Sequence, residues 1–468
     1  MPRATVRRAL TACTIATGAL AAAGVWAAEQ DQTALPQPSA QRTEIFLTAG
    51  LGETDNVGLA ATGAQSQTLA DVGVLIDVVR NGPLLQASLK GDLAYLKYLQ
   101  NAFSGYVVGR FDGDASFALV PDHIKWVAQD SYGAAQVDAL VSPARTNIER
   151  VNVISTGPDF LLRPSDNTFV RLGGRYALVN YETSPFNSHR VLGTASIGDE
   201  LSVASSISLN ADVTRVRFQN TTINSDYERR KFYLRYDTRG ARTHIAVDAG
   251  VAEVNDTGPW NSKLLAQLVL TRDVTPFQSV SISGGRQFTD SADSFRSLTA
   301  AAAGGTIIAS AVGAPGNYLN DYATAAWQFN KDRTRIDVSA RWDRSIYTIA
   351  ATALQVEDYI LSGIPVGLNA TRVVGGVRIQ RDLTPILTAE GRAEYVHEDY
   401  LTLGFIDHSL LTGVSLTFKP SGRLQYRLQF DRTVRTADTV PSAAATVGLG
   451  KGYTEDIVFL TAVYRLSE

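Results

Sequence analysis

The sequence predicts an all-β protein: a transmembrane antiparallel up-and-down β-barrel of about 20 strands. Three observations predict it. The first is strict alternation. In Arg423-Leu424-Gln425-Tyr426-Arg427-Leu428-Gln429-Phe430-Asp431 every even position is large and apolar and every odd position polar, so a strand here has one greasy and one wet face. The second is length, because such runs extend over about 10–16 residues against the usual ~5–6 of soluble sheets. The third is that the connections alternate between tight turns and much longer loops, as they do in barrels with short turns on one side of a membrane.

The 468 residues, 45% hydrophobic and 19% charged, show no composition shift that marks a boundary between soluble domains. Met1 to Ala27 reads as a secretory signal peptide. Arg3, Arg7 and Arg8 precede the uncharged run Ala9 to Gly24, and Val25-Trp26-Ala27 offers a cleavage site after Ala27. Leu10-Thr11-Ala12-Cys13 has too short an apolar stretch before it for a lipoprotein box. Residues 28–42, with Pro36 and Pro38, read as a flexible periplasmic tail, and 43–468 as the barrel. Cys13 is the single cysteine. Its loss with the signal excludes disulfides, thiolate metal sites and a cysteine nucleophile. The formal charge of −3 becomes about −6 without the three leader arginines, which excludes a nucleic-acid partner.

Taken in order, Val170 to Tyr181 sets Val170, Leu172, Tyr176 and Leu178 opposite Arg171, Arg175 and Tyr181. Tyr227 to Asp237 sets Phe232, Leu234 and Tyr236 opposite Arg229, Lys231, Arg235 and Asp237. Arg335 to Ser345 sets Ile336, Val338, Ala340 and Trp342 opposite Arg335, Asp337, Arg341 and Asp343, and Glu390, Arg392 and Glu394 alternate with Gly391, Ala393 and Tyr395. No helical period is sustained after the leader. Gly, Pro, Asn and Asp mark nine tight turns. They lie at 81–83, 121–122, 163–167, 198–200, 239–240, 272–276, 331–332, 381–385 and 419–422. Nine turns join ten hairpins, hence 20 strands, with 18 as the alternative. The longest loops fall at about 289–317, 348–370 and 436–452. Leu298 to Gly313 is uncharged and Ala/Gly-rich; it reads as an external loop, with folding into the pore as the alternative.

A soluble barrel buries its apolar face inward, but the polar face here carries too many charges for a dry core. The apolar face, roughly 25 Å tall, matches a hydrocarbon band, and closure removes the edges that lipid cannot satisfy. Tyr181 with Phe186, Tyr227, Trp260, Tyr322, Tyr400 with Phe405, and Tyr453 lie near the longer loops and read as an interfacial aromatic girdle. Val458, Leu460, Ala462, Tyr464 and Leu466 alternate as the final strand. These features imply a bacterial outer membrane, with its lipid and lipopolysaccharide and the barrel assembly machinery as partners.

Chemistry-bearing groups are sparse. Of the five histidines, His408-Ser409 with His397, Glu398, Asp399 and Asp407 nearby is the closest approach to a Ser/His/acid or surface ion site. It has no motif spacing, and the expectation is solvated loop residues. The glycines at 448, 450 and 452 around Lys451 lack phosphate-loop spacing. No catalytic residue, metal or cofactor is expected. The informative row is the wet one: Arg171, Arg175, Arg229, Lys231, Arg235, Arg335, Asp337, Arg341, Asp343, Arg372, Arg378, Glu390, Arg392, Glu394, Arg423, Arg427 and Asp431. As lumen-lining residues with an arginine excess, these would favour polar and anionic solutes. Cross-strand Arg–Asp and Arg–Glu pairs that stiffen the wall are the competing reading.

The chain resembles the β-barrel porin 2 family over about Thr43 to Leu466. The residues that carry the resemblance are Thr54-Asp55-Asn56-Val57, Trp126 with Asp130-Ser131-Tyr132-Gly133, and Asn180-Tyr181-Glu182. The Arg-Asp-Val/Leu-Thr-Pro segments at 272–276 and 381–385 add to it. The resemblance implies an outer-membrane conduit for an exopolysaccharide, about 18-stranded, working with a polysaccharide-export lipoprotein and an inner-membrane polymerisation system. It implies no catalytic residues. The function expected is therefore an exopolysaccharide export channel. A general or solute-specific uptake porin is the alternative, and a structural or adhesive barrel comes third.

Overall fold

The computed structural model describes residues 41–466, except 139, 223, 257, 302–315, 349–366, 402–403 and 439–451. The expected signal peptide, nearly all of the tail and most of the stretch 298–313 lie outside the described residues.

Alternation becomes strands wherever it was read. The first six are β1 (Arg42–Thr54), β2 (Gln67–Asn81), β3 (Leu85–Tyr98), β4 (Tyr106–Val120), β5 (Ile124–Gln136) and β6 (Ile148–Leu162). Next come β7 (Thr168–Tyr181), β8 (Ser188–Ser202), β9 (Ser205–Phe218), β10 (Tyr227–Arg239), β11 (Thr243–Asn255), β12 (Asn261–Thr275) and β13 (Gln278–Thr289). A helix, α1 (Ser291–Ala301), follows, and then β14 (Tyr318–Lys331), β15 (Thr334–Tyr347), β16 (Ala370–Thr384) and β17 (Leu387–Tyr400). The chain ends with β18 (Phe405–Phe418), β19 (Leu424–Asp438) and β20 (Tyr453–Arg465). Each strand pairs antiparallel with its chain neighbours, and β1 pairs with β20, so the 20-stranded sheet closes on itself. The count is 20 rather than 18.

Nine tight turns sit at one rim and the longer loops at the other. One turn is displaced from its expected place. Gly198-Asp199-Glu200 continues β8, and Val203-Ala204 makes the connection. Ile197 and Leu201 place large apolar side chains on the outward row on either side of Asp199, and this apolar row outweighs the local turn propensity. The two Thr-Pro segments behave alike: β12 and β16 run on to Thr275 and Thr384 through register shifts. Pro276-Phe277 and Pro385-Ile386 then make the turns.

The greasy rows face outward. Leu172, Tyr176 and Leu178 on β7, Phe232, Leu234 and Tyr236 on β10, and Tyr426, Leu428 and Phe430 on β19 are all exposed. A surface covered so evenly with large apolar side chains is stable only in lipid. The aromatic girdle is not where it was expected. Tyr181, Tyr227, Tyr322, Tyr400, Phe405 and Tyr453 are buried, because their strand parity turns them to the inside, and Phe186, in the β7–β8 loop, is buried as well. Among the exposed aromatics, Phe117, Trp126, Phe160, Phe277, Phe418, Tyr426 and Tyr464 lie near the short-turn rim, and Tyr95, Trp342 and Tyr395 lie higher on the wall beside Tyr176, Phe232, Tyr236 and Phe430 in the greasy rows. Trp260 alone of the expected set is exposed.

The seam between first and last strands is stapled at both ends. At the long-loop end, Thr54 donates to Glu455 at 2.8 Å, and the Asn56 amide donates to Thr454 O and Ala60 O at 2.8 Å each. Asp55 accepts from Asp456 N at 2.8 Å. At the other end Arg465 meets Glu44 at 3.1 Å, and Leu466 N donates to Ile45 O at 2.8 Å. The Thr-Asp-Asn motif that carries the family resemblance is therefore a closure device.

Neighbouring residues on β19 test the assignment of faces. Leu428→Arg should destabilise the barrel in lipid by about 2–4 kcal/mol, whereas Gln429→Arg should cost well under ~1 kcal/mol. Equal losses on unfolding in urea from vesicles would reverse or blur the two faces.

Candidate functional site

The wet rows line the lumen. Arg171 and Arg175 on β7, Arg229, Lys231 and Arg235 on β10, and Arg335, Asp337, Arg341 and Asp343 on β15 all take inward strand parity. So do Arg372 and Arg378 on β16, Glu390, Arg392 and Glu394 on β17, and Arg427 and Asp431 on β19. Arg423 does not join them: it precedes β19, exposed in the turn at the short-turn mouth.

Most of these charges are already spent on one another. Arg175 meets Asp159 at 2.7 Å, Arg235 meets Asp248 at 2.8 Å, and Arg341 meets Asp343 at 2.5 Å. Arg335 meets Asp337 at 3.0 Å and Arg392 meets Asp431 at 2.8 Å, while Arg378 and Arg427 share Glu390 at 3.7 and 3.5 Å. Arg171 lies over the Phe169 ring at 4.3 Å. The expected arginine excess is also offset from the wall β2–β4, where Asp71, Asp77, Asp92, Asp112 and Asp114 face inward beside Lys90 and Arg110. Those strands mix small and apolar residues into the wet row, so their acids gave no visible alternation. The lumen is polar and nearly balanced, not anion-attracting.

Its organising feature is α1, which follows β13 and lies against β4 and β5 inside the wall. The expectation of no helix after the leader fails here. Asp290-Ser291-Ala292-Asp293 is an N-cap followed by an acidic first turn, and Ala292, Phe295 and Arg296 fall at i, i+3 and i+4. The signal was present, but it was short and adjoined an Ala/Gly-rich run. The Asp290 carboxylate accepts from Asp293 N at 3.0 Å, closing the cap. It also accepts two bonds from one Arg190 nitrogen at 3.0 and 2.9 Å, lies 3.2 Å from Arg229, and takes the Tyr227 hydroxyl bond. Asp293 joins the same two arginines. Asp290 is 1% exposed and both guanidinium groups 6%, so the network is held away from solvent.

The remainder of the helix is seated by shape. Phe295 and Ala292 pack among Ala135, Val151, Val153, Val179, Tyr181 and Phe186. Ser294 bonds the Tyr318 hydroxyl and Arg296 bonds Gln129. Gln129 in turn donates to Asp114 at 2.8 Å. Glu149, 1% exposed, accepts from Thr183 N and Oγ1 at 3.1 and 3.0 Å and from Ser184 N and Oγ at 2.8 and 2.6 Å. Those bonds fold the β7–β8 loop so that Phe186 reaches the helix. Glu149 did not stand out in the sequence, being a lone acid outside any motif, and Asp290 was legible at most as a helix cap, not as the centre of a buried network. Burial on its own would raise the Asp290 carboxyl, but Arg190 and Arg229 hold it well below the usual carboxylate range.

The histidine grouping comes apart. His397 and His408 stand in strands rather than loops, directly opposite each other on the outward row. Ser409, Asp407 and Glu398 take the inward parity, and Asp407 pairs with Arg435. The wall separates the hydroxyl from the imidazoles, so the grouping has no Ser/His/acid geometry.

No family model and no curated protein matches the chain. Solved structures do. It is similar to the siderophore receptor PirA from Pseudomonas aeruginosa, at 10% identity over 92% of this chain and 81% of that one, with a TM-score of 0.43. The FrpB iron transporter from Neisseria meningitidis matches at 9% identity, 91% and 83% coverage and a TM-score of 0.45. PirA from Acinetobacter baumannii matches at 8%, 91% and 81%, with a TM-score of 0.46. The likeness is one of fold. The closed 20-stranded barrel is read from this chain's own strand pairing, and nothing finer passes from those proteins to it.

Removing the Asp290 carboxylate leaves the two buried arginines sharing Asp293 alone and strips the helix of its cap. Asp290→Ala should cost about 3–5 kcal/mol of helix docking and raise single-channel conductance in planar bilayers; unchanged conductance would place α1 outside the conducting path. A depressed carboxyl gives stability that is present above the ordinary Asp range and is lost only as pH falls through its own low value. Conductance should therefore be flat from about pH 5 to 8 and rise only in acid below about pH 4. A step near neutral pH would assign control of the pore to another group.

Proposed function

We propose that the protein is an outer-membrane channel through which small hydrophilic solutes are taken up, with α1 setting the aperture. The observation that carries this reading is the helix bolted inside the lumen by a buried carboxylate–arginine network. A wall this wide leaves an aqueous path unless something fills it, and a fixed helix restricts that path to small solutes. The balanced lumen supports passage without strong charge selection. The acids of β2–β4 give a modest preference for cations, and the ion pairs of β10 and β15, buried on β10 and half-buried on β15, act as wall struts.

Export of an exopolysaccharide, with a periplasmic export lipoprotein as partner, is the second reading, and the family resemblance favours it. A polymer path needs α1 displaced, and the residues carrying the resemblance at Thr54 to Val57 are occupied with barrel closure. That weakens the resemblance as an argument for cargo.

Proteoliposome swelling with neutral saccharides of increasing size tests the aperture. Small sugars should permeate, larger ones should be excluded, and Asp290→Ala should move the cut-off upward. In cells, deletion should reduce uptake of small solutes and leave surface polysaccharide intact; the converse would overturn this reading in favour of export. Asp71→Asn with Asp92→Asn should shift the reversal potential in a salt gradient toward anions. Arg235→Glu and Arg341→Glu should instead lower folded yield, because the first strands the buried Asp248 and the second sets a like charge against the half-buried Asp343. Clean selectivity changes from the arginine variants would mean that those residues line an open path.

A further inference from the structure

The two histidines that the wall separates from Ser409 form a group of their own. His397 of β17 and His408 of β18 are register partners on the outward face, toward the long-loop rim. Their Nδ1 atoms are 3.2 Å apart, with ring centroids at 4.8 Å. Tyr395, two residues below His397 on the same row, brings its hydroxyl to 2.7 Å from His408 Nδ1. Trp342 and Tyr395 are both exposed at this level, which sets the group at the interfacial belt, within reach of water.

One ring nitrogen carries one lone pair or one proton. His408 Nδ1 thus faces two polar atoms at bonding distance with a single valence to offer. A neutral hydrogen-bonded arrangement serves one of them well and crowds the other. A cation between the rings serves all three, since it accepts a lone pair from each imidazole and from the phenol oxygen. The spacing suits a metal, because two nitrogens bound at ~2.0–2.1 Å with a tetrahedral angle stand about 3.3 Å apart. A ligand set of two imidazoles and an oxygen matches borderline divalent ions such as Cu²⁺ and Zn²⁺ and is too soft for Ca²⁺ or Mg²⁺. No third His, Cys, Asp or Glu completes the group among the described residues, so water would fill the remaining positions.

We propose that Tyr395, His397 and His408 form a divalent transition-metal site on the outer wall, selective for Cu²⁺ or Zn²⁺. Both imidazoles are ligands and the tyrosine oxygen is the weaker third. The site clamps β17 to β18 just below the 401–404 loop. It lies outside the lumen, and its occupancy is independent of what the channel carries.

The test uses the full barrel in detergent, without an affinity tag, stripped by a chelator and titrated with CuSO₄ while electron paramagnetic resonance is recorded. The expected result is a saturable equivalent of Cu²⁺ whose spectrum shows coupling to two nitrogens. His397→Ala and His408→Ala should each weaken binding by roughly tenfold or more and leave at most single-nitrogen coupling. Tyr395→Phe should weaken it less and keep the two-nitrogen pattern, and His189→Ala, on a distant part of the wall, should change nothing. ZnSO₄ in large excess should displace the Cu²⁺, and CaCl₂ at the same excess should not. Wild-type Cu²⁺ lacking two-nitrogen coupling would overturn the site without recourse to any variant. So would a double histidine variant, with the heat-modifiable migration of a folded barrel, that binds Cu²⁺ as wild type does. A mere hydrogen-bonded pair predicts that second outcome.

Discussion

Everything in this molecule follows from the cost of an unpaired backbone amide or carbonyl in hydrocarbon, several kcal/mol for each group. A strand that crosses lipid must find both neighbours, and a finite sheet always leaves two edges unless it closes. The pairing of β1 with β20 is therefore the condition on which every other strand depends. This explains why polar side chains concentrate at that seam: Thr54, Asp55 and Asn56 bond to the backbone and side chains of Thr454, Glu455 and Asp456. Once closed, the sheet imposes one parity on each strand, so that the residues outside face lipid and those inside face water or one another.

Parity also made the fold legible. Alternation of two-residue period repeats with each strand, and it survives local interruptions because slipping by a single residue would exchange the faces of the whole strand. The interruption at Gly198-Asp199-Glu200 shows the limit of reading turns by composition. Turn-forming residues there were overruled by Ile197 and Leu201, whose outward placement in lipid outweighs turn propensity. The aromatics failed for a related reason. Nearness to a loop places a residue at the rim, but only parity tells which side of the wall it occupies, and Tyr181 and Tyr227 fall on the inner one.

The lumen was legible row by row but not in its pairings. Arg341 and Asp343 stand two apart on one strand, so their partnership was visible in principle; Arg392 with Asp431 needs the β17–β18–β19 register. Asp290 shows the deepest gap between sequence and structure. Its partners Arg190 and Tyr227 lie 100 and 63 residues away, and nothing in their local neighbourhoods announces the meeting. The inner helix itself was the more recoverable part, through its cap and its i, i+3, i+4 positions. Once seated, it turns the inward valines of β6 and β7, which would be costly against water, into a small dry core beneath Phe295.

The same anchoring has a consequence for how the barrel comes into being. Most of the strands that grip the helix precede it by a long stretch of chain: Tyr227 lies 63 residues from Asp290, Arg190 lies 100 away, and Arg296 reaches Gln129 across 167. Contacts of such separation are paid for in loop-closure entropy and form late. The constriction cannot assemble ahead of the wall that holds it. The nascent barrel is widest while its sheet is still being zipped, and it narrows only after β5, β8, β10 and β14 are in register. Narrowing thus comes late in folding, and a chain with its helix docked has the part of its wall from β4 to β14 already built.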